Sequence, residues 1–241
     1  MMDEKSIYAD FQRYQDLSGD DREALLVRWR AWSSQQLQET LDRLGRNRHS
    51  VNLQIGTGRN PLVGWINSDV APQNPTSVFL DAKQPMPISS ATVDSIFSEH
   101  MLEHLTLEEG KGFLAECRRV LRPGGIIRVS TPNLSQIVSL WFDSGEGIDQ
   151  YLDWAIMWNR LPSHENRRCI VINNFMRAWG HKFIYDKPTL LFVLGTSGFR
   201  NIVECSVGES THPTLCNLES HQLHIGNLQN EFETMILEAE K

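Results

Sequence analysis

Apolar side chains recur at helical spacing along the first part of the chain. A helix that begins at Asp20 would present on one face Leu26, Trp29, Leu37, Leu41 and Leu44. Gly45 follows these positions and indicates where the helix ends. Because a helix face that carries tryptophan must be covered, we expect residues 1–48 to form an N-terminal helical cap that packs against a core.

From residue 50 the pattern changes to short apolar runs separated by polar turns. The predicted strands are residues 51–55, 65–69, 77–81, 94–98 and 126–130. Between the last two strands, Thr106 and Glu109 form the capping-box pattern of a helix that runs to Leu121. Strands that alternate with helices predict an α/β fold whose parallel sheet is covered on both faces.

Residues 133–185 interrupt this rhythm with four tryptophans, few strand signals and scattered polar breaks. We predict one helix here and then a helical insertion over residues 145–185. Beyond it, residues 188–194 predict a helix and residues 201–207 a strand. Residues 232–241 have the propensity of a helix.

Composition restricts the class of protein. The chain has 241 residues, 40% hydrophobic and 22% charged, as in ordinary globular domains. No apolar run approaches the roughly eighteen residues of a spanning helix, and the polar N-terminus lacks a secretory signal, so we expect a cytoplasmic protein without a membrane partner. A net charge of −7 without a basic stripe argues against a nucleic-acid partner. The four cysteines lack the CxxC spacing of a zinc knuckle.

Residues suited to ligand contact stand at the ends of four successive predicted strands. They are Gly56, Thr57, Gly58, Asp69, Asp81, Glu99 and His100. Open parallel sheets bind ligands at the carboxyl ends of their strands. There, Asp69 is placed to accept hydrogen bonds from both hydroxyls of a ribose, and Asp81 from an exocyclic amine. The four strand ends together predict a nucleotide-like cofactor.

An ordered set of motifs resembles the class I S-adenosylmethionine-dependent methyltransferases, close to the group called type 11. The motifs are LQIGTGRN, INSDV, FLDAKQPMP, VDSIFSEHMLEHL and RRVLRPGGIIRVSTPNL. The resemblance implies a Rossmann-like seven-stranded sheet in which the last strand, formed by residues 232–241, runs antiparallel beside the fifth. It also implies a methyltransferase domain over residues 49–241, with residues 145–185 inserted as a lid.

The resemblance further implies which residues hold S-adenosylmethionine and its product S-adenosylhomocysteine. The implied cofactor-binding residues are Gln54, Gly56, Thr57, Gly58, Asp69, Val70, Asp81, Ala82, Glu99 and His100. Two positions depart from the family pattern, because Gln54 stands where an acidic residue is usual and Asn60 where a third glycine is usual. The short connection from Gly56 to Asp69 predicts only a single-turn helix between the first two strands.

Histidines are the candidate catalytic residues for methyl transfer. Histidine suits proton removal near neutral pH, so His181 and His100 are the candidate catalytic residues. His100, Glu103 and His104 also form an HxxEH pattern, which suits a zinc peptidase or a divalent ion that assists methyl transfer. Structural packing of His104 is the alternative to both, and we expect no metal.

The expected function is therefore methyl transfer to an oxygen or nitrogen of a small-molecule or glycan-like acceptor. Trp154 and Trp158 share a helix face, which looks either into the cleft or onto the N-terminal helix. The departures at Gln54 and Asn60 leave a second possibility, a catalytically inactive protein that binds the cofactor and serves as a partner or regulator. The sequence leaves the oligomeric state open.

Overall fold

The strands form one mixed sheet. The computed structural model describes residues 17–46, 50–71, 76–162 and 165–241. Its strands are β1 (Asn52–Ile55), β2 (Ile66–Asp69), β3 (Val78–Phe79), β4 (Val93–Glu99), β5 (Leu121–Pro132), β6 (Arg200–Cys205) and β7 (Thr234–Glu240). They lie in the order β3-β2-β1-β4-β5-β7-β6, and β7 is antiparallel to both neighbours. The predicted seven-stranded Rossmann-like sheet with an antiparallel last strand is confirmed.

Helices flank the sheet and follow β5. They are α1 (Gly19–Arg46), α2 (Leu107–Val120), α3 (Leu134–Phe142), α4 (Glu146–Trp158), α5 (Arg167–Arg177), α6 (Lys187–Thr196), α7 (Gln222–Ile225) and α8 (Asn227–Glu233). The predicted capping box begins α2, where the Glu109 N–H donates to Thr106 and the Thr106 N–H donates to the Glu109 carboxylate. Within the described ranges, each helix is too short or too polar to traverse a bilayer.

The N-terminal helix α1 covers the outer strand β3. The Trp29 ring is buried and meets Phe79 edge-on, with 5.5 Å between ring centroids. Leu37 and Leu41 join the main hydrophobic core of the sheet. The helix is thus present and packs as expected of a cap. Residues 1–16 and 47–49 lie outside the described residues, so the domain boundary at residue 48 stays a prediction.

The connection between β1 and β2 corrects one prediction, because its residues form turns and no helix. The amide of Gln54 holds this loop: Nε2 donates to the Asn60 carbonyl at 3.1 Å, and Oε1 accepts from the Leu62 N–H at 3.2 Å. The Asn67 side chain also exchanges hydrogen bonds with the Leu62 backbone. These side chains satisfy backbone groups that a helical turn would otherwise pair.

Two hydrophobic cores of the described residues position the site. The main core lies between the sheet and helices α1, α2 and α6. A second core lies among α3, α4 and α5 and is formed by Ile137, Leu140, Tyr151, Leu152, Ala155, Val171, Phe175 and Ile184. The predicted helical insertion therefore has its own apolar interior, which extends back into α3.

Candidate functional site

A cavity of about 560 Å³ opens at the carboxyl ends of β1, β2 and β4. Seven of the ten residues implied for cofactor binding line it: Gly56, Gly58, Asp69, Val70, Asp81, Ala82 and His100. Its other lining residues include Met101, which the sequence did not single out. The volume lies within the range of small-ligand pockets, and the position is the one at which open α/β sheets bind ligands. We refer to it as the cofactor pocket.

The glycines of the cofactor pocket are required by its geometry. Gly56 has φ +77° and Gly58 has φ +54°, a region that side chains disfavour. A Cβ on Gly56 would lie 2.6 Å from Met101 Cγ, so only glycine fits against that side chain. At these two glycines the backbone therefore forms a bare part of the pocket wall.

Asp69 is fixed at the end of β2 by backbone donors. Its Oδ2 accepts from the Gly58 N–H at 2.8 Å, and its Oδ1 accepts from the Ala71 N–H at 3.0 Å. Each carboxylate oxygen has capacity for a further hydrogen bond, and Asp69 lines the pocket. The predicted contact with two ribose hydroxyls fits this arrangement.

Three residues implied for cofactor binding lie behind the pocket wall instead of lining it. Gln54 is buried and holds the β1–β2 loop, and Thr57 donates its hydroxyl to the Ser68 carbonyl at 3.1 Å. The Glu99 carboxylate accepts from the Ser220 and His221 N–H groups and from the Ser220 hydroxyl. Through these contacts the three side chains support the wall of the cofactor pocket.

A second cavity of about 320 Å³, the acceptor-side pocket, lies between the sheet and the insertion. Its aromatic lining is Trp154, Trp158, Phe175 and Trp179, and its polar lining includes His100, Glu103, His104, His181, His221, His224 and Glu233. The Trp154 and Trp158 rings stack with centroids 6.1 Å apart. Of the two orientations left open for this face, the structure shows the cleft, since Trp29 packs on Phe79 instead.

His100 lies where the two pockets meet, and His104 lines both as well. His100 Nδ1 is 3.1 Å from Glu103 Oε1, and its Nε2 is 3.2 Å from Thr234 Oγ1. Burial acts to lower the pKa of His100, but the hydrogen bond and charge of Glu103 outweigh it and raise that pKa. Glu103 is fully buried, and its contact with His100 lowers the pKa of its carboxyl against the effect of burial.

His181 borders the acceptor-side pocket in a defined orientation. Its Nδ1 is 2.7 Å from the Phe175 carbonyl, which accepts only from a protonated nitrogen. The Nε2 therefore carries the lone pair of the neutral ring. Burial lowers the pKa of His181, so the ring is neutral at pH 7. The unusual backbone of Trp179, with φ +56°, leads into this position.

Three side chains of types that can ligate a metal lie close together in the lining of the acceptor-side pocket. Within the described ranges, one ligand atom each from Glu103, His104 and His181 lies within 4.8 Å of the other two. The grouping differs from the sequence pattern of His100, Glu103 and His104, because His181 takes the place of His100. Sequence spacing did not indicate His181 as a metal ligand, because this residue reaches the site from the far end of the insertion.

The chain is similar to known methyltransferases. A family profile described as a methyltransferase domain matches residues 63–129. A probable S-adenosylmethionine-dependent methyltransferase of Mycolicibacterium smegmatis is 46% identical over 48 residues, which cover 20% of this chain and 18% of the relative. The chain thus matches less than a fifth of that relative's length. The resemblance to class I methyltransferases is confirmed, and the cofactor named for the relative agrees with the predicted S-adenosylmethionine.

Two solved structures are similar to this chain at low sequence identity. A methyltransferase from Archaeoglobus fulgidus is 17% identical, with a TM-score of 0.48 over 85% of this chain and 94% of that one. A possible histamine N-methyltransferase from Thermotoga maritima is 14% identical, with a TM-score of 0.47 over 97% of this chain and 99% of that one.

Proposed function

We propose that this chain, which carries a class I S-adenosylmethionine-dependent methyltransferase domain, transfers a methyl group to an oxygen or nitrogen of a small-molecule or glycan-like acceptor. The observation that supports this most strongly is that the cofactor pocket and the acceptor-side pocket adjoin, with His100 and His104 lining both. Methyl transfer needs donor and acceptor held in contact and in line, and two adjoining pockets provide that proximity. We place the reaction in the cytoplasm, without a nucleic-acid or membrane partner.

The proposed cofactor fits the residues of the cofactor pocket. Gly56 and Gly58 provide the bare backbone wall, Asp69 the acceptor for ribose hydroxyls, and Asp81 with Ala82 the surroundings of the base. Val70 is 55% exposed although apolar, and a planar ring would cover it. Bound S-adenosylmethionine supplies a sulfonium methyl group as the electrophile.

The acceptor-side pocket suits a compact acceptor with an apolar face and polar edges. The indoles of Trp154 and Trp158 form a flat surface for the C–H face of a sugar or another ring. Glu233 and His221, 3.3 Å apart, lie on the polar side and orient hydroxyl or amine groups. His181 and His100 are the proposed catalytic residues, since both border this pocket, and the Nε2 lone pair of His181 is available to accept a proton.

We propose that the insertion over residues 145–185 acts as a lid that excludes water from the transfer site. The insertion is joined to the end of α8 by a buried hydrogen bond from the Tyr151 hydroxyl to Glu233 at 2.6 Å. At its far end, the Lys182 and Phe183 N–H groups donate to the Glu103 carbonyl. Burial and the charge of Glu233 raise the pKa of Tyr151, so the phenol remains a donor.

Amide exchange tests the lid. We expect residues 146–158 to exchange faster than β4 and β5 in the free protein and to slow when S-adenosylhomocysteine and acceptor are present. Exchange in the insertion that is as slow as in the sheet, and unchanged by ligand, would show instead that these helices are a fixed part of the core.

Turnover tests the function as a whole. The purified chain is incubated with S-adenosylmethionine and panels of hydroxyl-bearing and amine-bearing acceptors, and release of S-adenosylhomocysteine is measured. We expect transfer to at least one panel, and Trp154→Ala to reduce transfer while cofactor binding is retained. Binding without turnover on every panel would favour the alternative, an inactive protein that binds the cofactor.

A further inference from the structure

We propose that Glu103, His104 and His181 bind one divalent transition-metal ion at the junction of the two pockets. Their ligand atoms lie within 4.8 Å of one another, close enough to converge on a common ion with small side-chain movements. Two imidazoles with one carboxylate form a ligand set typical of Zn²⁺ and related borderline ions, and it leaves coordination positions open. The inference rests on the proposed function for its role but concerns a separate ligand.

The orientation of His181 matches that of a metal ligand. Metal-binding histidines commonly donate the other ring N–H to a carbonyl or carboxylate, which fixes the tautomer. The Nδ1 of His181 makes this contact with the Phe175 carbonyl at 2.7 Å, so its Nε2 is free to coordinate. The His181 ring centroid lies 5.2 Å from that of His104.

The backbone holds the two ligand-bearing segments side by side. The Glu103 carbonyl accepts from the Lys182 N–H at 2.8 Å and from the Phe183 N–H at 3.2 Å. Gly180 has φ +84°, and a Cβ there would lie 3.7 Å from His104 Nδ1. The turn that bears Glu103 and His104 is therefore fastened directly to the segment that bears His181, which favours a preorganised site.

The Glu103 carboxylate retains capacity for an ion. Its Oε1 contacts His100 Nδ1 and its Oε2 accepts from the Thr131 hydroxyl, both at 3.1 Å. A carboxylate has about four acceptor positions, so these contacts leave lone pairs available. Glu103 is fully buried, and its two present partners would act as the outer contacts that orient a ligating carboxylate.

The position of the three ligands indicates a role for the ion. All three ligands line the acceptor-side pocket, and His104 also lines the cofactor pocket. An ion at this place would bind an oxygen of the acceptor in an open coordination position and so orient it beside the cofactor pocket. With the ion bound, His181 would serve as a ligand instead of as a proton acceptor, and the acceptor would be one with a metal-binding oxygen, such as a hydroxyl group.

Co²⁺ titration, followed by visible absorption and calorimetry, tests the site in metal-stripped full-length protein. We expect one equivalent to bind the wild type and to be displaced by Zn²⁺. His104→Ala and His181→Ala should each weaken Co²⁺ binding by at least about tenfold. His212→Ala removes an exposed histidine outside the site and should bind as the wild type does. Thermal melts without metal check that each variant is folded.

Absence of saturable Co²⁺ binding to the wild type would overturn the proposal, as would equal affinity in His181→Ala and His212→Ala. Glu103→Gln offers a second test, since an amide keeps the size of the side chain but loses the charge, and it should also weaken Co²⁺ binding. Titration of the same samples with S-adenosylhomocysteine separates the two claims. Cofactor binding without Co²⁺ binding would remove the metal and leave the proposed transferase function intact.

Discussion

The sheet and the helical insertion are built around different interiors. The main core packs continuous apolar strands between helices, and neighbouring strands are joined by ladders of backbone hydrogen bonds. The insertion core is smaller and lies among three helices, one of which, α4, is joined to the end of α8 by a buried hydrogen bond. The cofactor pocket is formed mostly by the first region, and the aromatic wall of the acceptor-side pocket is formed by the second.

This difference suggests a division of roles. The cofactor pocket depends on backbone conformation at strand ends, such as the positive φ of Gly56, and the sheet fixes that conformation. The acceptor-side pocket depends on the placement of large side chains carried by the insertion. We therefore expect cofactor binding to tolerate changes in the insertion, and acceptor binding to be sensitive to them.

The largest effect is expected in the sheet, at the buried Arg128. Its side chain is fully buried between Glu219 and Glu238, with 2.6 Å to each carboxylate. Arg128→Met should cost about 3–5 kcal/mol of unfolding free energy, because two buried carboxylates lose their cation. Urea denaturation measures this. Arg200→Met, which removes an exposed partner of Glu240, should cost at most about 1 kcal/mol, and equal costs would refute the role of the buried network.

In the insertion, Leu152→Ala should cost about 2–5 kcal/mol, because a fully buried side chain of the second core is lost. Amide exchange should rise in α4 and α5 and remain slow in β1 and β4. The exposed Met157 on the same helix gives the control Met157→Ala, with an expected change within about 0.5 kcal/mol. Loss of protection spread evenly through the sheet would mean that the two regions unfold as one.

Gln54→Glu restores the acidic residue usual in the family and should nevertheless destabilise the fold by about 1–3 kcal/mol. A carboxylate lacks the N–H that Gln54 donates to the Asn60 carbonyl, and it is buried at this position. Denaturant unfolding measures the change, with Gln136→Glu on the exposed face of α3 as control. A stability equal to or above that of the wild type would contradict the structural use of Gln54.

The same comparison explains what the sequence could predict. Apolar runs ended by Gly56, Asp69 and His100 indicated the strands and their functional ends, because strand period and glycine conformation are local properties. The contact of His181 with the Glu103 turn joins residues far apart in sequence, and no local pattern encodes it. Arg128 did leave a signal, since an arginine inside an apolar strand requires buried partners.

The acceptor-side pocket was the least predictable part. Trp154 and Trp158 were recognised as a pair on one helix face, yet the cavity also needs Trp179 and Glu233 from other segments. Their convergence depends on the path of the insertion, which follows from packing of the second core. The prediction of a helix between β1 and β2 was wrong for a related reason, since amide side chains such as that of Asn67 form hydrogen bonds with backbone groups of that loop.

Titration calorimetry with S-adenosylhomocysteine tests the central claim most directly. We expect Asp69→Ala to weaken binding by about 1.5–3 kcal/mol, because hydrogen bonds to a charged acceptor are lost. Trp154→Ala, on the acceptor side, should leave this affinity unchanged, and thermal melts without ligand check that both variants are folded. Equal affinities for the wild type and Asp69→Ala, or an equal loss in both variants, would contradict a cofactor pocket at the end of β2.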